Sequence, residues 1–78
     1  MQRIIDGYIY DTETATLLYT DDSKYPRKTE YYMTSKGNFF AVYSNGELQV
    51  VEEQFIKDLL GKYDIEKYIE IFGEPKEG

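Results

Sequence analysis

The stretch Thr29-Glu30-Tyr31-Tyr32-Met33-Thr34, Ser35-Lys36-Gly37-Asn38, Phe39-Phe40-Ala41-Val42-Tyr43-Ser44, Asn45-Gly46, Glu47-Leu48-Gln49-Val50-Val51 decides the fold. Its three apolar runs are rich in aromatic and β-branched residues, and polar groups containing glycine separate them, which is the pattern of consecutive hairpins. Asn45-Gly46 is the strongest short hairpin signal in the chain. An antiparallel meander of three strands over 29–51 follows. Alternation sets Tyr31 and Met33 on one face against Tyr32 on the other, and Phe39, Ala41 and Tyr43 against Phe40 and Val42. Both faces therefore carry aromatics, whereas a half-solvated sheet normally has one polar face. An aromatic second face implies a cover, whether a partner, another copy or a stacked ligand.

Beyond this stretch the hydrophobic period changes. Val51, Phe55 and Leu59 recur at every fourth position, with Ile56 and Leu60 widening the stripe, and this predicts a helix over 52–60. Glu52 and Glu53 sit at its N-terminus, where the helix dipole favours acids, and Gly61 reads as its stop. Asp64 caps a second helix over 65–72 with Ile65, Tyr68, Ile69 and Phe72 on one face, and Gly73 and Pro75 end it. Residues 74–78 read as a tail.

On the N-terminal side, Arg3 to Tyr10 forms a small hairpin around Asp6-Gly7, the dipeptide of a type I′ turn. Residues 11–15 are ambiguous, since Asp11 could cap a short helical turn while Thr14, Thr16, Leu17, Leu18 and Tyr19 favour a strand, and 14–20 read as a strand. Residues 21–28 read as a polar loop broken by Pro26. Together these elements predict an α+β domain spanning 1–78. Residues 1–51 form a small antiparallel sheet of four to five strands, and 52–73 form two short helices.

The chain has 78 residues, nine Lys+Arg against fifteen Asp+Glu, and no Cys, His or Trp. Without Cys there is no disulfide, thiolate nucleophile or zinc finger, and without His no imidazole base or imidazole metal ligand. No apolar run approaches the roughly 20 residues of a membrane helix, so the expectation is a cytosolic domain without membrane contact. Residues 1–46 carry a net charge of −1 and residues 47–78 a net charge of −5.

Five constellations could carry function. Asp11, Glu13, Asp21 and Asp22 lie in or beside turns and could hold a divalent cation, but turns and caps use the same residues and no calcium-loop spacing is present, so no metal site or cofactor is expected. Paired carboxylates facing across a cleft are hard to build on a chain with one thin core, and no catalytic residue is assigned. Lys24, Arg27, Lys28 and Lys36, with Tyr25, Tyr31, Tyr32, Phe39 and Phe40, could stack and neutralise single-stranded nucleic acid; the net charge of −6 argues against direct binding. The acids of the C-terminal half could imitate the phosphates of nucleic acid, although helices carry acids on wet faces in any case. Nine tyrosines exceed what a small core uses and favour a binding protein over an enzyme. Glu52, Glu53, Asp58, Glu66 and Glu70, with Tyr63 as aromatic anchor, are the candidate partner-binding residues. Tyr31, Tyr32 and Phe40 are the candidate dimer or ligand face.

Three segments, Tyr10-Asp11-Thr12-Glu13-Thr14-Ala15, Lys36-Gly37-Asn38-Phe39-Phe40 and Glu66-Lys67-Tyr68-Ile69-Glu70-Ile71-Phe72-Gly73-Glu74-Pro75, together resemble a group of small acidic proteins encoded by phages and integrative elements of Gram-positive bacteria. In that group a YDTETA start, a Thr-Lys-Lys-Gly-x-x-Phe hairpin and a Phe-Gly-Glu end occur in the same order; here Ser35 stands before Lys36 in place of Lys. The resemblance implies a mobile-element origin and assigns no catalytic residue. Small acidic proteins of such elements are often anti-defence factors, anti-CRISPR proteins among them. The expected role is accordingly a non-enzymatic inhibitor, in the cytoplasm of a bacterial host, of a defence nuclease such as a CRISPR effector. A homodimeric structural or regulatory module is the alternative, and a single-stranded nucleic-acid binder acting through residues 24–40 is the third reading.

Overall fold

Two short loops of one design shape the sheet. In Ser35-Lys36-Gly37, the Gly37 N–H donates to the Thr34 carbonyl at 3.0 Å and the Thr34 N–H to the Asn38 carbonyl at 2.8 Å. In Ser44-Asn45-Gly46, the Gly46 N–H donates to the Tyr43 carbonyl and the Tyr43 N–H to the Glu47 carbonyl, both at 2.9 Å. Gly37 and Gly46 take φ of 83° and 88°, and Asn45 does not. Each is a three-residue turn closed by a left-handed glycine, so Asn45-Gly46 makes its hairpin through a glycine bulge and not through a two-residue turn. Asp6 and Gly7, both at positive φ, form the two-residue turn that the Asp-Gly pair predicts.

The computed structural model describes residues 1–78 and gives an α+β chain. Strands β1 (Gln2–Ile5) and β2 (Tyr8–Asp11) pair only with each other. Strands β3 (Thr16–Lys24), β4 (Arg27–Met33), β5 (Phe39–Tyr43) and β6 (Leu48–Val51) form an antiparallel meander in that order, and helices α1 (Glu53–Tyr63) and α2 (Ile65–Phe72) follow. The segment after Asp11 is a turn, so the strand expected over 14–20 begins at Thr16 and not at Thr14, whose N–H is used by the Asp11 carbonyl. The Asp11 carboxylate accepts from the Glu13 N–H at 2.9 Å, and its carbonyl accepts from the Ala15 N–H at 3.0 Å.

The expected loop over 21–28 is mostly strand. β3 runs on to Lys24, β4 starts at Arg27, and only Tyr25-Pro26, joined by a cis peptide bond, separates them. The polar residues that suggested a loop are consistent with an edge strand, whose outer side faces water. Asp21 marks a break in register: its carboxylate accepts from the Ser23 hydroxyl at 2.7 Å and the Ser23 N–H at 3.0 Å, and the ladder shifts between Asp21 and Lys24.

Helix α1 does not stop at Gly61 but continues to Tyr63. A Cβ at Gly61 would lie 3.9 Å from Tyr68 Cδ2, so the missing side chain sits where α2 packs against α1. The break between the helices falls on Asp64 alone, whose N–H donates to the Leu60 carbonyl while its carboxylate accepts from the Lys67 N–H at 3.1 Å. One residue ends the first helix and caps the second. Gly73, at φ 88°, ends α2 as expected.

The core lies between one sheet face and the helices: Leu18, Tyr31, Phe39, Ala41, Ile56 and Leu60, flanked by Met33, Tyr43, Tyr68, Ile71 and Phe72. The buried stripe of α1 is therefore Ile56–Leu60, with Phe55 rotated to the rim and 48% exposed. Ile65 is likewise exposed, and α2 packs through Tyr68, Ile71 and Phe72. The molecule is a slab of 38 × 31 × 17 Å in which only eight residues are buried.

Candidate functional site

The second sheet face is covered from within. Leu17, Tyr32, Phe40 and Val50 stand in register across the four strands. Phe40, fully buried, stacks on Tyr32 with ring centroids 5.1 Å apart and meets Tyr10 edge-on at 5.5 Å. Tyr10 belongs to β2, so the N-terminal hairpin closes over the middle of this face. Of the three residues expected to form a dimer or ligand face, Phe40 is thus interior. Tyr31 points to the opposite side, where its ring lies 5.7 Å from that of Phe55 on α1. Only Tyr32 remains partly accessible there, its hydroxyl donating to Glu30 at 3.4 Å. Burial, and then the neighbouring Glu30, hold the Tyr32 hydroxyl above the ordinary tyrosine pKa; burial does the same for Tyr31. What stays uncovered lies at the margins: Leu17, Val50, and the cross-strand pair Ile4–Ile9 on the outer side of the hairpin.

The basic and aromatic residues of 24–40 are divided by the fold. Lys24, Arg27 and Lys28 line a groove of about 430 Å³ at one end of the sheet, with Asp21 and Asn45. Lys36 sits in the turn at the other end of β4. Tyr31, Phe39 and Phe40 are buried, which leaves Tyr25, 86% exposed at the hairpin tip, and Tyr32. No continuous stacking track remains for single-stranded nucleic acid along these residues. Asp21, at the groove wall, is held below its usual pKa by the two Ser23 hydrogen bonds.

The acidic candidates are placed on the C-terminal helices. Glu52 is the N-cap of α1 and makes no side-chain capping bond. Glu53 pairs with Lys57 at 3.9 Å, and Glu70 with Lys67 at 3.1 Å. Asp58 accepts from Gln54 at 2.9 Å. Glu66 and Glu70 are one helical turn apart and exposed. Tyr63 is exposed at the end of α1, where its ring stacks on Tyr19 at 5.8 Å and Lys62 lies over it at 5.2 Å. Lys57 sits over the Phe72 ring at 5.2 Å. Helical lysines are thus engaged by rings and by two of the acids, while Glu52, Asp58 and Glu66 have no ion-pair partner. No group of three or more carboxylates converges as a cation site, and no helix is long and apolar enough to cross a membrane.

A further feature escaped the sequence reading. Tyr31, Tyr43, Gln49, Val50, Val51, Glu52 and Phe55 line a mostly apolar groove of about 330 Å³ between the last strand and the first helix. The sign available in the sequence was Phe55 standing beside Ile56: only one of two adjacent apolar residues on a helix can face the core fully.

No model of a known protein family matches the chain, and no curated protein or solved structure matches it.

Proposed function

We propose that this chain is a non-enzymatic inhibitor of phage or mobile-element origin, acting in the bacterial host by binding a defence nuclease, with CRISPR effectors the first class to test. The observation that carries this reading is the set of exposed helical acids left without ion pairs (Glu52, Asp58 and Glu66), next to lysines already engaged elsewhere. Such a surface attracts the basic channel in which a nuclease holds its nucleic acid, and it gains association rate from electrostatic steering. Occupying the channel excludes the substrate. Tyr63 supplies an amphipathic ring beside the charges, suited to an anchor.

The test is a cleavage assay with a candidate effector retained on the tagged protein after nuclease treatment of a host lysate. The triple variant Asp58→Lys, Glu66→Lys, Glu70→Lys should lose inhibition and keep its circular dichroism spectrum, because the one ion pair it breaks is a surface pair contributing at most about 1 kcal/mol. Undiminished inhibition by the variant would sink the mimicry.

A homodimeric module is the second reading, favoured by the Ile4–Ile9 pair, 72% and 59% exposed on the outer side of the hairpin. Light scattering tests this second reading: a dimer has twice the 9.2 kDa of the single chain, and a monomer at micromolar concentration would end it.

A further inference from the structure

The two edges of the four-stranded sheet are treated differently. β3, one edge, has two register breaks and carries Asp21, Asp22 and Lys24, devices that discourage pairing with another chain. β6, the other edge, is Leu48-Gln49-Val50-Val51, with no charge, proline or bulge. Its free hydrogen-bonding groups can be assigned. Tyr43 donates to the Glu47 carbonyl where the turn closes, and antiparallel pairs alternate, so Gln49 and Val51 bond inward to β5. The N–H and C=O groups of Leu48 and Val50 therefore point outward along an open edge. Directly beside this edge lies the apolar groove of Tyr31, Tyr43, Val51 and Phe55.

We propose that β6 is a docking strand: it pairs with an extended, basic segment of a partner protein, which adds a fifth strand and lays an apolar side chain into the groove against Phe55. Backbone bonds to Leu48 and Val50 supply pairing, and the groove on alternate residues supplies selectivity. Charge decides the occupant. Glu47 and Glu52 bracket the strand, and Glu53 follows. In a two-fold antiparallel dimer through β6, with Leu48 of one copy opposite Val50 of the other, Glu47 stands opposite Val51 of the second copy and one residue from its Glu52, so acids of both copies gather at each end of the new ladder. Like charges gathered in this way repel, whereas lysine or arginine at the same places is attracted. This goes beyond the acidic-helix reading and does not depend on it.

The test uses a fluorescein-labelled Lys-Val-Arg-Val-Lys-Val hexapeptide as probe, with anisotropy for affinity and amide NMR for location. Binding should shift the amides of residues 47–55. An acidic Glu-Val-Glu-Val-Glu-Val peptide should bind at least about tenfold more weakly. N-methylation at every second residue should weaken binding at least about tenfold in one phase and not in the other, because only one set of amides faces β6. Val50→Pro, which removes an outward donor and no inward bond, should abolish binding with the meander intact. The triple helix variant above should bind the probe nearly as well as the parent, so failure of the inhibitor reading and failure of this one are separable. Three results would overturn the proposal: no binding, equal affinity for both N-methylated phases with shifts at Asp58 and Glu66, or protection of the Leu48 and Val50 amides by self-association without peptide.

Discussion

Replacing Gly61 by alanine tests the helical layer with opposite signs for two structures. If Gly61 ended α1, it would occupy the left-handed region, and a Cβ there would cost about 1 kcal/mol. In the structure Gly61 is helical, two residues before the end of α1, and has no positive φ. Alanine in a helix interior is favoured over glycine by roughly 0.5–1 kcal/mol. The new Cβ would stand 3.9 Å from Tyr68 Cδ2, ordinary contact that needs no displacement. Gly61→Ala should therefore stabilise the protein by about 0.5–1 kcal/mol, raising Tm by about 2–8 °C for a domain of this size. Gly61→Leu should do the reverse, since its further atoms would push Tyr68 and α2 away. Thermal melts followed by far-ultraviolet circular dichroism read both. A lower Tm for Gly61→Ala would refute the continuous helix and the packing of α2 on Gly61.

Two further outcomes follow from the packing. Tyr10→Ala should remove about 3 kcal/mol from the attachment of the N-terminal hairpin. Because β1 and β2 share no ladder with the larger sheet, hydrogen exchange should accelerate over residues 2–11 while β4 and β5 stay protected; uniform acceleration would contradict a separately docked hairpin. Burial, the largest cause in each case, holds the hydroxyls of Tyr19, Tyr31 and Tyr32 above the ordinary tyrosine pKa of about 10. The unfolded chain loses these protons first, so stability held below pH 10 should fall as pH rises through the higher folded values. Urea midpoints that stay constant through that range would argue against burial of these hydroxyls.

The elements legible in the sequence were those set by neighbouring residues. Asp6-Gly7, Gly37 and Gly46 fix turns locally, and Asp64 and Gly73 bound α2 through their own backbone and side-chain bonds. What escaped depended on distant contacts. Gly61 carries the same local signal as a helix stop, but the stop is held at Asp64 by the Leu60 carbonyl and the Lys67 N–H, and α1 runs through Gly61 to Tyr63. Tyr25-Pro26 looked like the centre of a long loop because an edge strand is as polar as a loop. Alternation announced a second aromatic face and could not say that Tyr10, thirty residues from Phe40, would cover it. The acidic candidates were readable as exposed, but their division into paired Glu53 and Glu70 and unpaired Glu52, Asp58 and Glu66 depends on where each lysine turns.

The slab is only 17 Å thick, and its whole accessible surface is 5859 Å². A partner taking a standard patch of about 800 Å² would cover roughly one-seventh of it. The stability expected for a chain of this length is only about 4–12 kcal/mol. A partner present at a hundred times its Kd adds about 2.7 kcal/mol by mass action, a sizeable share of that total. Melting is therefore a reporter of occupancy for this protein: a true partner should lift Tm by about 10 °C or more, well clear of what weak nonspecific contacts produce.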